Sequence, residues 1–384
     1  MTGTQVYGAA PTYDHDPPAS LPDGIDALTG QAVCTTSTTA ATGVGTYQGR
    51  MSDCDGVTPA GAQSSNHVVA YTGGGFEVTP ATLLVAPDDQ SIVYGDPDPT
   101  FTFTITGYEN GDGDSAITSQ PSCVAGAHTE GGTYAITCTG GSAADYVFDV
   151  SPTATLTVEP APQTITFGGL ADQLYGAVPI TVAATASSGL TVAFSSLTPS
   201  VCSVSGTTAT LLVPGTCTVE ASQGGNASYA AATAVPRSFT VGFSSPCIIT
   251  RVKGSITVRA GEAVCIDGGT VDKDVTVEAG GSLWVDAGTI RGAVSSSSAR
   301  SLSICDSTVG GSLKVLEATG PITIGGGEGC ANAIGGSVAI SDNTGGVTYT
   351  FNVVGAAVTI TSNSGGFVYG SNDARGKVTL KDNT

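Results

Sequence analysis

The sequence predicts an all-β chain of tandem Ig-like β-sandwiches followed by a right-handed parallel β-helix, or solenoid. Three observations carry this. A Tyr-Gly pair followed by proline recurs at Tyr7-Gly8, Tyr94-Gly95 and Tyr175-Gly176, at intervals of 87 and 81 residues, which marks an array of domain-sized modules. The 54 glycines, the abundant Thr, Ser, Ala and Val, and a charged fraction of only 11% favour turns and β-branched strands over helices. From Gly254 onward a short apolar triplet recurs every 19 to 25 residues, a unit too small to close its own core but able to share one by stacking.

These signals divide the chain into 1–87, 88–160, 161–246 and 247–384, each able to bury a core. No stretch joins a helical stripe to good helix formers, and none approaches the roughly 18 apolar residues a bilayer requires. The net charge of −20 is uneven. Residues 1–87 hold seven acids against Arg50, 88–160 hold eleven acids and no base, 161–246 hold two acids against Arg237, and 247–384 hold twelve acids against ten bases. Such a balance keeps an array soluble and argues against nucleic acid or anionic lipid as a partner.

The ten cysteines fall in sequential couples: Cys34/Cys54, Cys123/Cys138, Cys202/Cys217, Cys247/Cys265 and Cys305/Cys330. No CxxC occurs, and His15, His67 and His128 are far apart, so five local disulfides in an oxidising, extracytoplasmic setting fit better than zinc. No cofactor is implied. The opening MTGTQVYG has neither the basic start nor the apolar core of a signal peptide. The first module also lacks a counterpart of the strand preceding Tyr94, and the chain stops at Lys381-Asp-Asn-Thr384 within a recurring unit. Both ends therefore read as those of an internal piece, with an uncovered final coil prone to association or fraying.

Modules one and two align beyond Tyr-Gly. Gly45-Thr-Tyr47 precedes Cys54 as Gly132-Thr-Tyr134 precedes Cys138, and Phe76-Glu-Val-Thr-Pro80 corresponds to Phe148-Asp-Val-Ser-Pro152. Period-two alternation broken by turn residues is the pattern of an antiparallel sandwich. These residues, with Tyr108-Glu-Asn-Gly-Asp112, resemble the MBG family of bacterial Ig-like repeats, the Tyr-Gly type, over about 1–160. Gln163-Thr-Ile-Thr-Phe167, Ser195 to Cys202, Gly215-Thr-Cys217 and Asn226-Ala-Ser-Tyr229 resemble a second bacterial Ig-like repeat. The resemblance implies surface display and adhesion stalks, and no catalytic residue.

Three tempting sites in this half have plainer readings. Asn110-Gly-Asp-Gly-Asp114 has calcium-loop spacing, but an EF-hand loop wants Gly where Ser115 stands and Glu where Pro121 stands, so a turn is expected. Asp88-Asp89 could hold calcium at a joint or be a solvated linker. Asn226-Ala-Ser228 is a glycosylation sequon that reads equally as a turn. Residues 1–252 contain no lysine, which excludes lysine isopeptide crosslinks there and leaves reinforcement to disulfides. Short proline-containing connectors such as Glu159-Pro-Ala-Pro162 predict an elongated particle.

In 247–384 the triplets are Ile256/Val258, Val275/Val277, Val294, Leu313/Val315, Val338/Ile340, Val358/Ile360 and Val378/Leu380, which predicts about seven rungs. Cys305 and Cys330 each lie eight residues before their triplets, the same position in consecutive rungs, close enough to bridge. Cys247 and Cys265, nearly in register, would tie down the first coil. Asn343, Asn363 and Asn383, 20 apart, predict an internal ladder of amides. The Gly-Gly-Ser and Ser-Asp-Asn-Thr-Gly-Gly units resemble Gly/Asn-rich β-helix repeats of exported bacterial proteins.

Such a solenoid supports three functions. Polysaccharide cleavage needs grouped outward acids, and Asp267, Asp272, Lys273, Asp274, Asp286 and Arg291 form the one dense group, readable also as solvated turns. Ice binding needs an unbroken outward Thr row. Here the central positions read Thr257, Thr276, Ser295, Lys314, Ala339, Thr359 and Thr379, with Lys314 and Ala339 interrupting. The third function, a non-catalytic structural or ligand-displaying shaft, accounts for every feature. Trp284, between inward Leu283 and Val285, should point outward, as a candidate ligand contact or packed against module three. The expectation is an adhesive or structural stalk of a secreted or surface-anchored bacterial protein, partnered by surface proteins, glycans or copies of itself. The alternative is a polysaccharide-active enzyme with sandwich spacers.

Overall fold

The computed structural model describes residues 2–384 apart from 15–20, 22–24, 31, 32, 37, 49, 50, 63–68 and 71–74. The chain divides into two compact units. One comprises residues 1–162 with the segment Asn226–Ala230, the other 163–225 with 231–384. Among the described residues nearly all regular structure is strand, with single 3-10 turns at Asp114–Ala116 and Glu328–Cys330. Among the described residues no helix is long and apolar enough to cross a membrane.

In the first unit, Thr12–Asp14, Thr2–Val6, Gly75–Thr79 and Gly45–Gln48 form one sheet, in that order. Phe76 and Val78 alternate inward from Gly75–Thr79. A second sheet orders Gln90–Val93, Ala154–Glu159, Gly132–Ala143 and Ile117–Ala125, and a third orders Phe103–Thr106, Ala81–Pro87 and Tyr146–Asp149. Ala81–Pro87 buries Ala81, Leu83 and Val85 by strict alternation. The sequence division at 87/88 leaves this strand at the end of module one, yet its pairing partners are Phe103–Thr106 and Tyr146–Asp149 of module two. Cys123 and Cys138 lie directly opposite on neighbouring strands and are bridged, Cα atoms 4.0 Å apart.

The second unit opens with a sandwich whose largest sheet orders Gln173–Leu174, Val235–Gly242, Gly215–Ser222 and Ala193–Ser196, facing Ile180–Thr181, Thr208–Leu211 and Cys202–Ser205. The fully buried Cys202–Cys217 disulfide joins strands of these two sheets.

From Arg251 the chain winds into a parallel β-helix of three sheets. The first runs from Arg251–Val252 to Asp373–Ala374 and the second from Ile256–Val258 to Val378–Lys381, seven strands each. The third, of six strands, runs from Ala263–Asp267 to Phe367–Gly370. The apolar triplets are the second sheet, stacked in the expected register from Ile256↔Val275 to Ile360↔Leu380. From Val258 to Ile360 their inward side chains join Val271, Leu283, Ile290, Leu302 and Tyr349 in one continuous core, whereas Val378 and Leu380 of the last strand are exposed.

The 25-residue interval is an insertion. Third-sheet pairing is offset by 20 residues (Leu302↔Ile322) and the next first-sheet pairing by 25 (Thr308↔Ala333), so the extra residues lie between Ile324 and Asn332. Cys330 ends the 3-10 turn inside this insertion and is bonded to Cys305, Cα to Cα 4.4 Å. The Cys247–Cys265 bridge stands in register with the parallel Ile248↔Ile266 bridge at the start of the coil. The Cys34 side chain, His15 and His67 lie outside the described residues. Among those described no cysteine is free.

The amide ladder forms, and there are two. Asn343 Nδ2 donates to Asn363 Oδ1, and Asn363 to Asn383 at 2.7 Å. A second ladder, not anticipated, links Asn332, Asn352 and Asn372 at 3.0 and 2.9 Å and continues upward as Ser307 N–H donates to Asn332 Oδ1. Most of these asparagines follow a residue in the left-handed conformation, as at Asp342, Phe351, Ser362, Ser371 and Asp382. Each rung thus turns a corner, and the next side chain occupies the corner's interior.

Asn352, 1% exposed, donates to the carbonyls of Ile324 and Thr350 and to Asn372, and accepts from Asn332. Asn352→Ala should destabilise the solenoid by about 2–3 kcal/mol, because several buried groups lose their partners together. Urea unfolding followed by amide exchange in 300–384 checks this; a loss below about 0.5 kcal/mol would mean the ladder carries no stability.

Candidate functional site

The Tyr-Gly pairs build the same turn three times. Tyr7, Tyr94 and Tyr175 each donate their N–H to the strand closing their own sandwich, at Thr79, Glu159 and Gly242. Two residues on, an N–H returns to close the turn: Ala9 to Val6, Asp96 to Val93, Ala177 to Leu174. The intervening glycines have φ of +84°, +94° and +77°, a conformation costly to any residue with a Cβ. Space adds to the constraint at two of them, where a Cβ would strike Glu109 (from Gly8) or Ser282 (from Gly176).

The turn aims each ring at another element. Tyr7 meets Tyr146 of module two edge-on at 5.3 Å, and both phenols donate to Asp112 Oδ2, at 3.0 and 2.7 Å. Tyr94 meets Tyr229, in the Asn226–Ala230 segment of its own compact unit, edge-on at 5.4 Å. Tyr175, 4% exposed, meets Trp284 of the solenoid edge-on at 5.3 Å and accepts a hydrogen bond from Ser301 Oγ at 2.9 Å. Edge-to-face pairs of this kind contribute beyond their buried area.

The loop with calcium-like spacing is part of the first joint. Asp112 takes two phenols, Asp114 takes the Tyr108 hydroxyl at 2.7 Å, and Asn110 donates to the Ala40 carbonyl. Asp88 accepts from the Thr102 hydroxyl and Asp89 from the Thr155 N–H, both at 2.7 Å. Asn226 accepts the N–H groups of Ser228 and Tyr229, closing a side-chain turn. Among the described residues no three His, Cys, Asp or Glu converge as metal ligands would.

The solenoid acids do not assemble into one constellation. Asp272 lies between Arg251, at 2.8 Å, and Arg291, at 3.3 Å. The Arg251 hydrogen bond and both cations hold its carboxyl below the usual range, whereas a general acid needs its pKa raised. Asp274 accepts the Ala293 N–H. Asp267 and Asp286 stand opposite each other at the ends of consecutive third-sheet strands. The row Thr257, Thr276, Ser295, Lys314, Ala339, Thr359, Thr379 is in register along the second sheet, with the interruptions its sequence shows.

Trp284 does point out of the coil, and what it meets is module three. Its indole packs with that sandwich's core beside Tyr175 and Phe243. It remains half-buried and lines a cleft of about 360 Å³ with Tyr175, Leu212, Ser303, Pro321 and Thr323. A second cleft of about 500 Å³ adjoins it, lined by Val178, Pro179, Leu212, Arg300, Thr319 and Pro321 among others. Arg300 and the role of Tyr175 were not foreseen; the Tyr-Gly repeat was itself the available signal for the latter.

Residues 83–157 match the family model of the MBG domain (YGX type). No curated protein matches the chain. Among solved structures, Drosophila N-cadherin EC1-4 is matched at 7% identity over 48% of this chain and 58% of that one, with a TM-score of 0.19. The chain thus spans less than two thirds of that neighbour, and such a score does not establish a shared fold.

Burial, then Asp112, pushes the Tyr146 phenol up to about 12, and burial with Asp114 does the same to Tyr108. Because these values exceed the ordinary 10.0, the two phenols support folding fully below about pH 10 and lose that support as pH climbs toward 12. Melting of the first unit should fall over that window in the parent and less steeply in Tyr146→Phe; parallel curves would mean the phenols do not couple to folding. Tyr7→Phe, which removes one of the two donors to Asp112, should cost about 1–2 kcal/mol at neutral pH by denaturant titration.

Proposed function

We propose that this chain is a non-catalytic stalk segment, structural or adhesive, of a secreted or surface-anchored bacterial protein. The observation that carries the reading is the thrice-repeated tyrosine joint. Each Tyr-Gly turn sets its ring against its own sandwich's core and, with the same ring, meets an aromatic side chain of another element of its compact unit, as expected where neighbouring elements are to be held firmly together. The four disulfides among the described residues, one in each of the second and third sandwiches and two in the solenoid, suit an oxidising exterior. The MBG match at 83–157 supports the same setting. The ion pairs around Asp272 favour a shaft over a polysaccharide-cleaving face, since they hold that carboxylate as a structural anion.

Single-molecule extension tests the mechanical side. With disulfides intact, unfolding of the second and third sandwiches should leave their 15-residue loops closed, and reduction should lengthen each step by about 50 Å. Incubation with acidic and neutral polysaccharides should release no new reducing ends. Depolymerisation that disappeared in Asp272→Asn would overturn the stalk in favour of an enzyme.

A further inference from the structure

The Tyr175 joint leaves open ground beside it within the second unit. The two clefts of about 500 and 360 Å³ share Leu212 and Pro321 and so form one groove, of the size small-molecule sites have. Its lips are apolar and wet: Val178 is 68% exposed and Leu212 40%. At one end lies Arg300, half-buried, its guanidinium without an acceptor among the described residues. Arg251 and Arg291, by contrast, share Asp272, Arg259 pairs with Glu262, and Arg237 donates to the Phe167 carbonyl. At the other end lie Trp284 and Tyr175, with Ser303 and Thr323 on the floor. Trp284 stacks in register on Ser303, three residues along the strand from Arg300. The two ends are therefore about 11 Å apart along the sheet, the reach of a short oligosaccharide.

We propose that this groove binds an acidic oligosaccharide, with Arg300 taking the sugar carboxylate and a neighbouring ring lying against Trp284. A half-buried, unpaired guanidinium fits a planar carboxylate by its two-pronged donor geometry. An aromatic wall with hydroxyls beside it offers both an apolar face and polar partners, as a pyranose does. The field permits an anion here: residues 161–384 carry fourteen acids against eleven bases, whereas 88–160 carry eleven acids and no base. The proposal deepens the adhesive reading and rests on it, by naming the ligand class.

Trp284 is the only tryptophan, so intrinsic emission reports directly on the groove. The whole chain is titrated with oligogalacturonate, with its methyl ester, and with a short peptide bearing a free C-terminal carboxylate. We expect a saturable emission shift with the acid, binding of the ester weaker by about ten-fold or more, and the same loss for the acid in Arg300→Gln, whose melting should match the parent. Rescue by Arg300→Lys should be partial. Equal binding of acid and ester, indifference to Arg300→Gln, a response to the peptide alone, or no response to any of the three would overturn the proposal. The extension and depolymerisation measurements read the stalk itself, so failure here and failure there are distinguishable.

Discussion

A buried peptide group must find a hydrogen-bond partner, and the solenoid is organised around meeting that demand at its corners. Strands satisfy one another along three sheets, but each corner interrupts the ladder and turns polar backbone inward. Asparagine answers both needs of a corner carbonyl and a corner N–H, since its amide donates and accepts. Asn363 illustrates the arrangement: its Oδ1 accepts from the Asn343 backbone and side chain, while its Nδ2 reaches the Ile340 carbonyl and Asn383. Once corners are satisfied, the apolar stack from Val258 to Ile360 can close without water.

The sandwiches meet a different constraint. Their closing strands end in carbonyls at Thr79, Glu159 and Gly242 that would otherwise face the module end. The Tyr-Gly turn caps them with the tyrosine N–H, and the same turn sets the ring at the edge of the core, against a further aromatic. One short motif thereby terminates a sheet and makes a joint, which explains why glycine and an aromatic stand side by side. The joints differ in polarity: Tyr7 shares a carboxylate with Tyr146, whereas Tyr175 sits in a drier setting among Trp284, Phe243 and serine hydroxyls.

Much of this was legible in the sequence where a signal is local or periodic. The triplet spacing located the second sheet; equal distances from the triplets singled out Cys305 and Cys330, which are bonded but do not hold the same rung position, since Cys305 ends a strand stacked on Ile322–Ile324 and Cys330 stands in the inserted turn. Asn343, Asn363 and Asn383 were visible because Ser-Asp-Asn-type units repeat around them. Asn332, Asn352 and Asn372 share the same spacing but follow Ala331, Phe351 and Ser371, with no common flanking motif, and one borders the insertion. The groove near Trp284 was not readable, because it arises where Tyr175 meets Ser301, 126 residues away. The strand Ala81–Pro87 shows the same limit: its alternation announces a strand, while its sheet is decided by partners at Phe103–Thr106 and Tyr146–Asp149.

The insertion between Ile324 and Asn332 leaves the stacking above and below it undisturbed, for Ile304↔Ile324 and Val309↔Ile334 both pair. The winding is therefore indifferent to what one corner carries, provided the chain returns to the same point. The Cys305–Cys330 bond supplies that return. Such a corner is a place where evolution, or an engineer, can vary cargo on a fixed axle. Loops of new length and chemistry could be hung there, one rung at a time, without renegotiating the core that supports them.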